Sequence, residues 1–295
     1  MVGLGQRGKA KGNARERAQP DPLLYLGRDG TKNYRSLSEN GAWSIMTFSI
    51  ITPTFNSQKF LEETIQSVIS QEGTDFEYII VDGSSTDGTV EIIKKYALKD
   101  SRIRWYSEPD KGIADAFNKG IALATGDIIG IINSDDSYLP ETLRLVLESA
   151  KAHPDCDVFH GDIVRRDQAG KELFVLKPLN VETSVWREMP VNHPATFVRR
   201  RAYDKIGGFD VVLRYAMDYD LVLRLHTAGC RFCYIEEPLA TMRYGGASDA
   251  SFVKGLLEVF NISVREGCPR YMALFWFLVK GFTRTVKNLL RTLGL

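Results

Sequence analysis

Residues 128–140 read IIGIINSDDSYLP. The first half, Ile128 to Ile132, is a short apolar run of the kind that fills a strand buried on both faces. The second half carries two adjacent carboxylates, Asp135 and Asp136, which are costly side by side unless something positive offsets them. A buried strand with such a tip makes sense where the ends of several strands form one site. The flanking segments decide whether such a sheet exists.

They do build one. FSIITPTF (48–55), FEYIIVDG (76–83), IRWYSE (103–108) and CDVFHGDI (156–163) read as strands rich in β-branched and aromatic residues. Between them the apolar period changes to that of helices. Leu61, Ile65, Val68 and Ile69 share one face of a helix that Ser57 is placed to cap. Asp87 precedes a second helix, with Val90, Ile93 and Ala97 inward. Ile113, Phe117, Gly120, Ile121 and Ala124 form the stripe of a third over 113–124, and Leu143, Val146, Leu147 and Ala150 that of a fourth over 141–150. Alternating strands and helices predict an α/β fold with a mostly parallel sheet covered on both faces. In such a sheet ligands bind outside the carboxyl ends of the strands. Thr54, Asn56, Asp82, Glu108, Asp110, Asp135 and Asp136 then meet at one acidic edge. That edge suits a hard divalent cation such as Mg²⁺, which takes one or two carboxylates and leaves positions for water or phosphate. A turn of solvated acids is the plainer alternative.

Three further stretches bear on chemistry. In VDGSSTDGTVEII (81–93), Asp82 at the strand end is placed to accept from a nucleobase N–H or a ribose hydroxyl. A calcium loop is excluded by spacing, since Asp87 and Ile93 stand at its sixth and twelfth positions. In EPDKGIADAFNKGIALATGD (108–127), glycines and Lys111 sit where a loop opens a helix, a place that can approach a diphosphate. In MDYDLVLRLHTAG (217–229), Asp218 and Asp220 lie at a helix start, where negative charge is favoured. Asp218 is the candidate general base and Asp220 a helix-terminal charge.

Composition limits the alternatives. The 295 residues are 44% hydrophobic and 25% charged with net charge +1, which marks a globular chain without the basic excess of a nucleic-acid binder. Cys156, Cys230, Cys233 and Cys268 are too few and too scattered for a secreted disulfide scaffold. Cys230 and Cys233 form one CxxC without the second pair of a zinc site, and read as structural. No apolar run reaches the ~18 residues of a membrane span. Residues 1–46, rich in Gly, Lys and Arg, read as unstructured. Gly3, Gly5 and Gly8 spell GxGxxG there, but no strand precedes them, so the dinucleotide fingerprint and a Rossmann oxidoreductase are rejected. Because the core begins just after Met46, residues 1–45 read as an extension ahead of the true start. Near the C-terminus, Lys280, Arg284, Lys287 and Arg291 fall on one helical face and Phe282, Val286, Leu289, Leu290 and Leu293 largely on the other. With no acid after Glu266, this helix suits an anionic membrane surface, the alternative being an amphipathic helix packed on the domain.

Taken together, SIITPTFN, VDGSSTDGT, DKGIADAFNKGIALATGD, NSDDSYLP, HPATFVRRRAYDKIGGFD, MDYDLVLRL and YGGASD resemble glycosyltransferase family 2, the inverting enzymes of GT-A fold, and especially its bacterial polysaccharide, colanic-acid-type branch. The resemblance covers about residues 48–250. It implies a GT-A domain over 47–250, with a nucleotide-binding half (47–150), an acceptor half (151–250) and a C-terminal helical, membrane-surface segment (251–295). By the match, Asp136 binds Mg²⁺ or Mn²⁺, Asp135 contacts ribose or the metal through water, and Asp82 reads the base. Pro53, Thr54 and Asn56 line the nucleoside pocket, and Lys111 and Asn118 belong to the nucleotide-sugar site. Asp218 is the catalytic base, and His193 lies on the acceptor side. His153, His160 and His226 read as structural or surface. The chain departs from many relatives at Gly83, where they carry a second acid, and at Met217, where they carry Glu. The implied activity is transfer from a nucleotide-sugar, a UDP-sugar by the match, to a saccharide or lipid-linked acceptor at the cytoplasmic face of the inner membrane. A nucleotidyltransferase and a non-catalytic nucleotide-sugar-binding protein remain as alternatives.

Overall fold

The computed structural model describes residues 24–26, 32–37, 43–244 and 252–292, with side chains over 46–244 and 252–286. Three short strands, β1 (Leu24–Leu26), β2 (Lys32–Leu37) and β3 (Trp43–Ile45), form a separate antiparallel sheet. This corrects the expectation of an unstructured segment there. A composition reading averages over the charged stretch and hides triplets such as LYL and WSI. Residues 1–23, including the GxGxxG pattern, lie outside the described residues.

The main sheet holds β4 (Thr47–Thr54), β5 (Asp75–Asp82), β6 (Ile103–Ser107), β7 (Ile128–Ile131), β8 (Ser137–Tyr138), β9 (Val158–Arg166), β10 (Glu172–Leu176), β11 (Thr196–Arg199) and β12 (Phe232–Arg243). Their order is β6-β5-β4-β7-β11-β9-β12-β8, with β10 paired to β9. β4, β5, β6 and β7 run parallel, as do β9 and β12. β11 enters antiparallel between β7 and β9, and β8 and β10 are antiparallel additions. The sheet is mixed and mostly parallel, as expected.

Both faces are covered. Phe48, Ile50, Tyr78, Ile80 and Ile128 point to one face. There they meet Leu61, Ile65 and Val68 of α1 (Leu61–Ile69), Ile93 of α2 (Thr89–Ala97) and Leu143, Val146 and Leu147 of α4 (Thr142–Ala152). Ile51, Ile79, Val81 and Ile129, one residue out of phase, meet Phe117 of α3 (Ile113–Leu123), Tyr203 of α6 (Arg200–Ile206) and Leu221 and Leu225 of α7 (Met217–Thr227). Alternation along each strand produces the two cores. α5 (Val181–Ser184), α7 and α8 (Phe252–Arg265) share a third cluster of Val181, Val222, Leu223 and Ile262. Cys156, two residues before β9, and Cys233 of β12 are joined by a disulfide, while Cys230 is free and buried.

The last helix, α9 (Arg270–Thr292), reverses the alternative reading of its faces. Lys280 Nζ lies 3.1 Å from Glu188, Arg284 lies over the Phe252 ring at 5.2 Å, and Phe277 packs edge-on against Phe260. Lys280 and Phe277 face the protein, while Arg284 is exposed and reaches back to Phe252. Tyr271, Phe275, Leu278 and Phe282 are 76%, 56%, 59% and 71% exposed. Spaced at i, i+4, i+7 and i+11, they form one outward apolar stripe. The side chains of Lys287, Leu289, Leu290, Arg291 and Leu293 lie outside the described residues.

Candidate functional site

The register of the sheet fixes the site. Thr54, Asp82 and Ser107 lie level at the ends of β4, β5 and β6. Asp82 is fully buried and accepts from Thr54 Oγ1 (3.0 Å), Ser107 Oγ (2.7 Å), and the amide and hydroxyl of Ser85. Four donors account for the carboxylate, so it ties three strand ends together behind the cleft wall. Asn56 takes φ +49°, which asparagine tolerates, and its Oδ1 accepts from Thr86 N at 2.9 Å. It locks the loop after β5 to the loop after β4. Ser57 does not cap α1 through its side chain; its hydroxyl accepts from Ser134 Oγ at 2.8 Å and joins the β4 loop to the β7 loop. Asp87 does serve the next helix, accepting from Thr89 N at 2.9 Å.

A cleft of about 600 Å³ opens over these strand ends. Pro53, Thr54, Phe55 and Gly83 line one side, Asp110, Gly112, Ile113 and Phe117 a second, and Asn133, Ser134, Asp135 and Asp136 the floor. Arg214, Tyr215, Met217, Asp218, Met242 and Arg243 close it. Ile113, read as core, is 43% exposed and forms part of this wall. A Cβ on Gly83 would stand 2.4 Å from Asp110 Oδ2, so the space of a second acid at that point is already taken by Asp110. Lys111 is exposed on the turn between the two lining residues Asp110 and Gly112.

Asp135 and Asp136 differ in setting. Asp136 is 2% exposed; its Oδ1 receives a long contact from Arg243 N, at 3.4 Å, and the Asn133 side chain also hydrogen-bonds the carboxylate. Burial, then the neighbouring Asp135 charge, raises its pKa well above the usual carboxylate value. Thr64 Oγ1 donates to the Asp136 carbonyl at 2.7 Å, and β8 follows at once to pair with β12. That pairing delivers Arg243, which also pairs with Glu63 and lies 4.4 Å over the Phe60 ring. Asn133 Oδ1 is buried without a partner. Among the described residues no three His, Cys, Asp or Glu side chains gather as a protein-only metal cage.

Asp218 stands in the first turn of α7, its side chain 38% exposed. The helix start is held from outside. Glu258 of α8 accepts from three successive amides, Arg214 N (3.1 Å), Tyr215 N (2.8 Å) and Ala216 N (2.8 Å). Asp220 is fully buried between Arg224, at 2.8 Å, and Arg265 of α8, so it is an interior ion pair and not a solvated helix charge. His193 lies beside Asp218, with Nδ1 3.4 Å from Oδ1, and packs on Phe117 at 5.4 Å. His160 is buried and stacked on Tyr234, as a structural histidine would be.

Asn118 does not reach the cleft. Its Oδ1 accepts from Phe209 N (2.7 Å) and its Nδ2 donates to Phe209 O (2.8 Å), clamping α3 to the loop after α6. The motif carries Asn118 for this clamp, a pairing 91 residues apart that local pattern does not show. Sequence reading missed Phe55, Ser134, Arg214, Tyr215 and Arg243 as lining residues. Only the position of Arg243 at a strand end was a usable signal. YGGASD lies outside the described residues beyond Tyr244.

The comparisons with known proteins agree with this geometry. A PGL/p-HBAD biosynthesis glycosyltransferase of Mycobacterium tuberculosis is 30% identical over 226 residues, 75% of this chain and 86% of that one. The O-antigen biosynthesis protein RfbC of Myxococcus xanthus is 30% identical over 74% of this chain and 17% of its own. The fold is shared with S. aureus TarS 1-349 in complex with UDP-GlcNAc (TM-score 0.61, 20% identity, 77% of this chain, 69% of that one). It is shared also with the mannosyltransferase PcManGT of Pyrobaculum calidifontis in complex with GDP-Man and Mn²⁺ (TM-score 0.60, 19% identity, 78% and 69%). Residues 49–208 match Glycosyl transferase family 2, and the chain belongs to that family.

Proposed function

We propose that the chain is a metal-dependent inverting glycosyltransferase. It moves a sugar from a nucleotide-sugar, a UDP-sugar by preference, to an acceptor hydroxyl in cell-surface polysaccharide or glycolipid assembly. One observation carries this reading: Asp218 and the Asp135–Asp136 pair line the same cleft at the carboxyl edge of the sheet. Phe55 and Asp110 flank the base, with Pro53 and Thr54 as the wall and Asp82 and Asn56 bracing it. Asp135 faces the ribose, and Lys111 stands at the rim. The acceptor oxygen attacks the anomeric carbon while Asp218 removes its proton. The bond from that carbon to the diphosphate breaks, and the nucleoside diphosphate leaves from the opposite face. A base so placed contributes roughly 10²–10⁴-fold.

The residues fit a divalent cation. Asp136 is buried beside the like charge of Asp135, which a cation relieves, and one or two carboxylates with phosphate oxygens suffice for Mg²⁺ or Mn²⁺. Such an ion supplies charge stabilisation to the departing diphosphate. The outward stripe of α9 supports peripheral attachment at the cytoplasmic membrane face, which suits a lipid-linked acceptor. No helix among the described residues is long and apolar enough to cross a membrane. Phe275→Glu with Phe282→Glu is expected to abolish co-sedimentation with anionic vesicles, and unchanged sedimentation sinks the attachment.

A donor screen tests the reaction. Purified protein with Mg²⁺ or Mn²⁺ is given UDP- and GDP-sugars, and nucleoside diphosphate release is followed. Release that is lost in Asp218→Asn and Asp136→Ala is expected. In a parallel reaction with UTP or GTP and a sugar 1-phosphate, pyrophosphate release makes the chain a nucleotidyltransferase, and a folded protein that binds no nucleotide ends both readings.

A further inference from the structure

A second small cavity of about 20 Å³ shares Asp218 with the cleft and is lined also by His193, Tyr203, Phe209, Thr196 and Ile131 among others. One water needs roughly 10–15 Å³ of such space. Two buried polar atoms of residues lining this cavity have no hydrogen-bond partner, Asp218 Oδ1 and His193 Nε2. Buried polar atoms are nearly always partnered, so two orphans around one water-sized space call for an explanation. The other imidazole nitrogen, Nδ1, already stands 3.4 Å from Asp218 Oδ1, one small adjustment from a hydrogen bond. The ring is only 15% exposed in its side chain and is braced by Phe117. Asp218 thus lines both spaces, the cleft and the small cavity.

We infer that His193 is a positioning residue for Asp218: its Nδ1–H, with one water held in the small cavity, fixes Oδ1 and leaves the other carboxylate oxygen turned to the acceptor in the cleft. This rests on Asp218 being the base, and it moves His193 from an acceptor contact to a support of the base. A carboxylate in the first turn of a helix, with no such partner, samples several rotamers, and misplacement by about 1 Å costs roughly 100-fold in rate. The groups facing Asp218 are His193 from the segment before β11, Tyr203 of α6, and Arg214 and Tyr215 of the loop before α7. Of these, His193 alone has a nitrogen within 4 Å of the carboxylate.

The experiment has a part that needs no donor. Imidazole ¹⁵N resonances of the full chain are assigned with His193→Phe and then compared in Asp218→Asn. An Nδ1–H tautomer at His193 that changes in Asp218→Asn is expected. His193 nitrogens indifferent to Asp218→Asn overturn the inference. The second part uses UDP-GlcNAc and GDP-mannose turnover. His193→Phe, which keeps the stack on Phe117, is expected to lower kcat about 10- to 100-fold with donor KM within about twofold, and His193→Asn, whose amide nitrogen overlies Nδ1, to recover part of it. A raised KM with unchanged kcat makes His193 a substrate contact and overturns the positioning role. Full activity in His193→Phe beside a dead Asp218→Asn overturns it alone, whereas full activity in Asp218→Asn overturns the base assignment and this inference together.

Discussion

Glu258→Ala tests whether the C-terminal helices are part of the catalytic apparatus. Glu258 Oε1 receives Arg214 N, and Oε2 receives Tyr215 N and Ala216 N, the three amides that lead into α7. Hydrogen bonds to a charged acceptor contribute about 1.5–3 kcal/mol each when buried. Glu258 is partly exposed, so water replaces some of each bond, and roughly 1 kcal/mol apiece is the better figure. The carboxylate also sits at the positive end of the α7 dipole, worth about 0.5 kcal/mol. The alanine variant is therefore expected to lose about 3–4 kcal/mol. Glu258→Gln keeps an oxygen for Tyr215 and Ala216 and turns an amide on Arg214 N, so its expected loss is about 1 kcal/mol. Urea denaturation reads the difference, and hydrogen exchange of the Tyr215 and Ala216 amides shows whether it is global or confined to the loop. Because Asp218 lies two residues past Ala216, kcat is expected to fall in the same order, Glu, Gln, Ala. A Glu258→Ala protein within 0.5 kcal/mol of the parent, with both amides still protected, refutes the reasoning.

Other perturbations follow from single contacts. Asp82→Asn removes the charge and one acceptor oxygen, so hydroxyls among Thr54, Ser85 and Ser107 must turn to accept from the new amide. A loss of about 2–4 kcal/mol is expected by denaturation, with a raised donor KM as the strand ends part. His160 is held neutral by burial, its pKa pushed down to about 4 from 6.5. The unfolded chain takes up the proton first, so this site adds stability above pH 6.5 that fades as pH falls toward 4. Between pH 7 and 5 the parent is expected to lose roughly 2 kcal/mol more than His160→Phe, and parallel curves for the two sink the account. A Cβ on Gly126 would stand 2.5 Å from the carbonyl carbon of Phe48, a backbone atom that cannot swing aside. Gly126→Ala is expected to cost about 1–3 kcal/mol or more in thermal unfolding, and a neutral result means that β4 and the turn before β7 can separate.

What was legible in the chain was whatever is encoded locally. The 2.0 and 3.6 periods of residues 48–152 predict the strands, the helices and most of the faces they bury, Ile113 being an exception that lines the cleft. The acidic strand tips follow from parallel order alone, because parallel strands put their ends on one edge. What escaped was set by contacts distant in sequence. Asn118 carries the same letters in a motif whether it faces a ligand or, as here, the backbone of Phe209. Cys233 is joined to Cys156, 77 residues away, a pairing that local spacing does not state. Arg243 meets Asp136 only because β8 pairs with β12, a register no local pattern states. The faces of α9 follow the same rule. The wheel separates cations from apolar residues correctly, but which side meets the protein depends on Glu188 and Phe252, and these draw in Lys280 and Arg284. The stretch after residue 250 therefore belongs to the site as much as to the periphery. α8 sends Glu258 to the start of α7 and Arg265 to Asp220, so the helix that carries Asp218 is braced by residues of the segment read as C-terminal and membrane-surface. α8 also packs on α9 through Phe260 and Phe277, so it touches both the helix with the outward apolar stripe and the start of α7.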